Sequence, residues 1–135
     1  MGVAVAQRRD LGRERFIVEE LESRCFVRNV RSRVLTFEMI LCDISETGLL
    51  LRSVLQNYIE YNLGDKLMVT MDMNGKIFDR PIVLECLVAN VHHKNKLLHY
   101  GVNIIRVDEL HKKKFAAGFV RIKETSLQKE LTSQD

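Results

Sequence analysis

With 135 residues, 46% hydrophobic and 29% charged, the chain has the size and composition of one globular domain around a single core. A net charge of +3 is too small for the whole surface to act as a non-specific nucleic-acid binder. No apolar run approaches the roughly 18–20 residues that span a bilayer, which excludes membrane insertion through a helix.

The N-terminus, MGVAVAQRRD, has a short apolar patch without a basic region before it. Ala6 also stands where a myristoylation motif requires Ser or Thr. Neither secretion nor a lipid anchor is therefore expected, and the cytoplasm is the expected location. Cys25, Cys42 and Cys86 are odd in number, widely spaced and set in strand-like apolar runs. That pattern predicts buried, reduced thiols rather than a disulfide framework or a metal knuckle.

Residues 1–21 read as a loosely structured, arginine-rich arm. Period-two alternation then predicts strands at 24–28 and 34–42, joined around 30–33, and a third short strand at 49–53. The polar stretch from Gln56 ends in Leu63-Gly64-Asp65, a turn signal. Lys66 to Met73 alternates and stops at Asn74-Gly75, the strongest short hairpin signal. A long strand is expected over 77–91, with Pro81 marking a bulge, an edge or a split. A turn at Lys94-Asn95-Lys96 leads into a last strand, 97–107. Asp108 then caps a predicted helix to about Ile122, with Leu110, Phe115, Phe119 and Ile122 apolar and Gly118 weakening it. Residues 123–135 form a polar tail. The pattern is all-β with a C-terminal helix, a small six-stranded antiparallel β-barrel over 22–122.

Two features carry chemistry. Eight of the twelve arginines fall in the first 33 residues, a stretch without lysine. Guanidinium forks without ammonium groups point to planar, bidentate recognition of phosphate or of a guanine edge. The second feature is Asp43-Ile44-Ser45-Glu46-Thr47-Gly48, at a junction between two apolar strands. Asp43 and Ser45 either satisfy the turn's own backbone, with Gly48 supplying a positive φ, or face outward as acceptors for a ligand.

Arg9-Asp10-Leu11-Gly12-Arg13, preceded by Arg8, and the turn from Asp43 to Gly48 together resemble the R-x-x-x-R and D/N-x-S-x-x-G motifs of PilZ domains. Leu63-Gly64-Asp65-Lys66-Leu67 and Tyr100-Gly101-Val102-Asn103-Ile104 are similar to further elements of that family, and the resemblance spans about residues 8–122. It implies a bacterial receptor for cyclic di-GMP. Arg8, Arg9 and Arg13 would grip phosphates and guanine edges. Asp43 and Ser45 would contact a guanine, and Gly48 would keep the turn open. A second R-x-x-x-R, Arg24 to Arg28, lies closer to the turn; the first is preferred because the second occupies a strand that the barrel needs. His92, His93, Tyr100 and Arg15 are candidates for stacking on a base.

The expected function is second-messenger signalling: the arginine arm orders on ligand binding and presents a surface to an effector protein. No catalytic group, metal site, cofactor or specific nucleic-acid partner is expected, and monomer and dimer stay equally open. The alternatives are a PilZ-fold interaction module without ligand, or an RNA- or single-strand-binding barrel. The latter would be expected to show more exposed aromatics than the nine present.

Overall fold

Alternation of apolar and polar residues is what turns this chain into strands. In β3 (Arg24–Asn29), Cys25 and Val27 are sealed inside while Phe26 faces out. In β6 (Lys66–Met71), Leu67, Val69 and Met71 are all buried in the core. The computed structural model describes the backbone of residues 6–10, 13–32, 35–54 and 61–133, and side chains within 14–32, 35–54 and 61–125. The remaining strands are β1 (Ala6–Asp10), β2 (Arg13–Ile17), β4 (Phe37–Ile44), β5 (Gly48–Ser53), β7 (Ile82–Lys94) and β8 (Leu97–Val107). A helix, α1 (Glu109–Ser133), follows them.

The strand order β4-β3-β6-β7-β8-β5, closed by a β4–β5 pairing, makes an antiparallel six-stranded barrel. Closure removes the open sheet edges that would otherwise invite aggregation. β1 and β2 form an antiparallel hairpin, and β2 joins β4 through the pairs Phe16↔Ile44 and Ile17↔Asp43. β3 pairs with the earlier part of the same edge, Phe37 to Ile40. One edge of β4 thus receives two strands in succession, with a 3₁₀ turn at Glu19–Leu21 between them.

This pairing places part of the expected arm inside the domain. Phe16 and Val18 are buried, and Val18 N–H donates to the Cys42 carbonyl at 2.9 Å. Their period-two spacing continues the inward pattern that the barrel needs, so the core begins before residue 22.

α1 covers the barrel with Phe115, Phe119 and Ile122, all buried. Phe119 meets Phe16 edge-on at 5.8 Å, and Phe115 stacks on Phe78 at 5.9 Å. Asp108 caps the helix as expected, its Oδ1 accepting from Leu110 N–H at 3.3 Å. Leu110, expected on the apolar face, is 81% exposed, because five residues before Phe115 lies on the other side of an α-helix. The helix runs to Ser133, through most of the stretch read as a polar tail.

A second correction concerns residues 72–81. Asp72 adopts φ 58° and ends β6 there, so Asn74-Gly75 is not a two-residue hairpin turn. Ile77 and Phe78 lie in the connection that follows, and β7 starts only after Pro81. The segment is pinned by the buried Asp72 carboxylate, which accepts from Ser23 Oγ and from the N–H groups of Lys76, Ile77 and Phe78. The predicted strand at 97–107 and the turn at 94–96 match, with Asn95 and Lys96 in the left-handed region. Residues 55–60 and 33–34, parts of an expected polar stretch and strand, lie outside the described residues. Among the described residues no helix is long and apolar enough to cross a membrane.

Candidate functional site

The turn between β4 and β5 is held by its own serine. Ser45 N–H donates to the Gly48 carbonyl at 2.9 Å, Ser45 Oγ donates to the same oxygen at 3.3 Å, and Thr47 N–H donates to Ser45 Oγ. Ser45 is 2% exposed, so in this state its hydroxyl organises the turn. Gly48 is not in the left-handed region, which corrects one expectation. Its requirement is space: a Cβ there would come within 2.9 Å of the Val102 carbonyl oxygen on β8.

Asp43 owes its direction to a β-bulge. Met39 and Leu41 point into the core, and strict alternation would send Asp43 inward after them. The register slips between Leu41 and Asp43, so that Ile44 takes the next inward place. Asp43 is thereby turned out of the core cluster toward the lining of a cleft, re-aimed by the extra residue as bulges do beside functional sites, and it stays buried there at 4% exposed. A second bulge acts in the same way on β7, where the register slips between Val88 and Asn90. Beyond it Asn90, His92 and Lys94 all reach the face that Asp43 lines.

Between these two bulged strands lies a cleft of about 320 Å³. Arg15 and Asp43 form one wall, Asn90, His92 and Lys94 another, and His99, Gly101 and Leu50 the floor, with Glu19 and Cys42 at the margin. Arg15 Nη1 stands 3.7 Å from Asp43 Oδ1, joining the hairpin to the motif turn. Gly101 is again a spatial requirement, since a Cβ would come within 2.6 Å of the Asn90 amide. His92 and His99 stack with ring centroids 5.0 Å apart and planes 16° from parallel. Burial lowers the His99 pKa, opposed by its contact with the Leu97 carbonyl. Burial pushes the Cys42 thiol up to about 12, so it stays protonated and unreactive.

The expected residues divide clearly. Asp43, Arg15 and His92 come together at the cleft, while Ser45 and Gly48 build the adjoining turn. Arg8, Arg9 and Arg13 are described by backbone alone: Arg8 is the register partner of Arg15, Arg9 of Glu14, and Arg13 of Asp10. Their side chains lie outside the described residues, as do Leu11 and Gly12 of the same motif. Arg24 and Arg28 sit on barrel strand β3, where Arg24 pairs with Glu38 at 3.8 Å and Arg28 donates to the Ser32 carbonyl. Tyr100 is a core residue, 1% exposed and edge-on to Tyr61. Asn90, Lys94, His99 and Gly101 were not picked out as ligand contacts; the polar alternation Asn90-x-His92-x-Lys94 was the available signal. Among the described residues no group of three or more His, Cys, Asp or Glu side chains could hold a metal ion.

Comparison with known proteins adds three findings. The family model described as PilZ domain matches residues 7–119. No characterised protein matches significantly by sequence. Among solved structures, the Bacillus subtilis inhibitor of motility (MotI/DgrA) superposes with a TM-score of 0.63 at 10% identity. The match covers 95% of this chain and 54% of that one, so this chain spans about half the length of that relative. At such low identity the likeness is one of fold.

Proposed function

The chain belongs to the PilZ domain family, and from that premise we propose that it is a receptor for cyclic di-GMP that acts by binding and not by turnover. The ligand would lie in the cleft beside the β4–β5 turn. Asp43 would accept from the N–H groups of a guanine edge, with Ser45 helping and Gly48 leaving room for close approach. Arg8, Arg9 and Arg13 on the hairpin would supply forked donors to the phosphates and to O6 and N7 of guanine.

The observation that carries this reading is the joining of the two motifs in space. β2 pairs with β4 at Asp43 itself, and Arg15 contacts the Asp43 carboxylate at 3.7 Å. Arg13 is two residues along that strand and Arg8 is opposite Arg15. Motifs some thirty residues apart in sequence are thereby neighbours. Several like charges on one short hairpin repel each other, and a ligand with two phosphates relieves that repulsion. Binding would order the arginines over the cleft and so change the surface offered to an effector protein.

Isothermal titration calorimetry tests the proposal. Wild-type protein should bind cyclic di-GMP in the micromolar range or tighter, and Arg13→Ala or Asp43→Ala should weaken binding at least about 100-fold, the scale of a lost charge-assisted contact. Circular dichroism would verify that the variants fold. Absence of binding to the folded wild-type protein would overturn the reading.

A further inference from the structure

His99 holds an outward position on β8, between the inward-facing Leu98 and Tyr100, yet it is only 6% exposed. Its two cross-strand partners close over it. Arg52 of β5 lies on one side and His92 of β7 on the other. Arg52 is held by Glu19 at 2.8 Å, and the His92 ring stacks on His99. His99 Nδ1 lies 3.3 Å from the Leu97 carbonyl oxygen, which can only accept. Nδ1 therefore carries the hydrogen in the neutral ring, and Nε2 is the atom that gains a proton.

The charges around the ring are finely opposed. Burial disfavours the imidazolium, and His92 and Lys94 push the same way, while the Leu97 carbonyl and Glu19 favour it. Across the cleft stand Asp43 and Arg15, which pair with each other, and beside the ring stands Arg52, paired with Glu19. A carboxylate or phosphodiester placed among these groups would tip the balance toward the charged ring.

We propose that the stacked His92–His99 pair is a proton-coupled contact of the cleft: entry of a ligand bearing two phosphodiester anions draws one proton from solvent onto the pair, so that affinity rises as the medium becomes more acidic. This rests on the cyclic di-GMP reading of the cleft and adds a regulatory input to it. The proton adds to an imidazole nitrogen, Nε2 of His99 foremost, and no covalent bond is broken. The other groups facing the pair cannot substitute near neutrality. Phosphodiesters and guanine do not titrate there, and the buried Cys42 thiol stays neutral. Glu19 and Asp43 are engaged with arginines. Of the other described histidines, His93 is exposed at the adjacent, opposite-facing position of β7, and His111 Nδ1 accepts from Val83 N–H.

The test is calorimetry of the full chain with cyclic di-GMP at about pH 7.5 and about pH 6, each in two buffers of different ionisation enthalpy. The expected result is binding about three- to tenfold tighter at the lower pH, with net uptake of up to one proton; one proton sets a ceiling of tenfold per pH unit. His99→Gln should lose most of the pH dependence of whatever affinity it retains. His92→Asn alters an exposed residue, keeps the fold, and should at least halve the proton uptake by opening His99 to water. Binding of equal strength at both pH values without uptake would overturn the proton coupling and leave the receptor reading standing. So would a pH dependence unchanged in both variants. No binding at either pH would remove the receptor reading and this inference with it.

Discussion

The residue that bears most on the fold is one with no part in the cleft. Asp72 is fully buried, sits in the left-handed region and collects four donors: Ser23 Oγ at 2.9 Å, Lys76 N–H and Ile77 N–H at 2.7 Å, and Phe78 N–H. A carboxylate is the one small acidic group that can accept so many bonds and still tolerate positive φ. Truncation would strand buried N–H groups, each costing about 1–3 kcal/mol in non-additive fashion. Asp72→Ala should therefore lower unfolding free energy in urea by about 3–4 kcal/mol, and Asp72→Asn by roughly half of that, since its single oxygen serves fewer donors. A loss below about 1 kcal/mol for the alanine variant would contradict the account. Nothing in the sequence marks this aspartate, which stands one residue before Met73 in an alternating run. Its partners lie up to 49 residues away, and only the assembled barrel brings them together.

At the scale of elements, local pattern and tertiary contact divide the credit unevenly. The last strand was legible to the residue, because its alternation is bounded by turn residues on one side and by an aspartate cap on the other. The two bulges that aim Asp43 and the Asn90-His92-Lys94 row were not legible. Each is a one-residue slip in pairing, invisible without the partner strand. Helix α1 shows the same division at a single position. By propensity Gly118→Ala should stabilise the helix by about 1 kcal/mol. In the fold, an added Cβ would fall 2.0 Å from the Phe78 ring, which is itself held by Asp72 and stacked on Phe115. The ring is 2% exposed, so it can yield only by displacing its neighbours, and overpacking outweighs propensity. Gly118→Ala should lower stability by about 1–3 kcal/mol, visible as a fall in Tm, and a rise in Tm would show that the helix can shift away from the barrel. Because α1 also meets β2 through Phe119–Phe16 and Lys123–Glu14, such a shift would be felt at the arginine hairpin.

For the molecule as a whole, the core carries a titration of its own. Cys25, Cys42 and Cys86 are buried and unpaired, and burial lifts each thiol from 9.0 to about 12. The sign follows from proton counting. Above pH 9 the unfolded chain releases thiol protons that the folded chain keeps, so the unfolded state is favoured and stability falls as pH rises, until the folded thiols also ionise near 12. Well below the unfolded value the three groups are protonated in both states and contribute no pH dependence. Each group costs about 1 kcal/mol between pH 9 and 10 and about 1.4 kcal/mol per unit beyond, so three together remove about 3 kcal/mol in the first unit alone. Because the loss saturates once the folded thiols ionise near 12, it brings alkaline unfolding within about one to three pH units above 9 for a domain at the lower end of the usual range of about 5–15 kcal/mol. Urea titrations at pH 8, 9 and 10 should show a loss of about 1 kcal/mol over the first interval and about 3 kcal/mol over the second. Cys86→Ala should lower stability at every pH through lost packing yet reduce the alkaline slope by about a third. A slope unaffected by that substitution would mean that the thiols do not set the alkaline limit of this barrel.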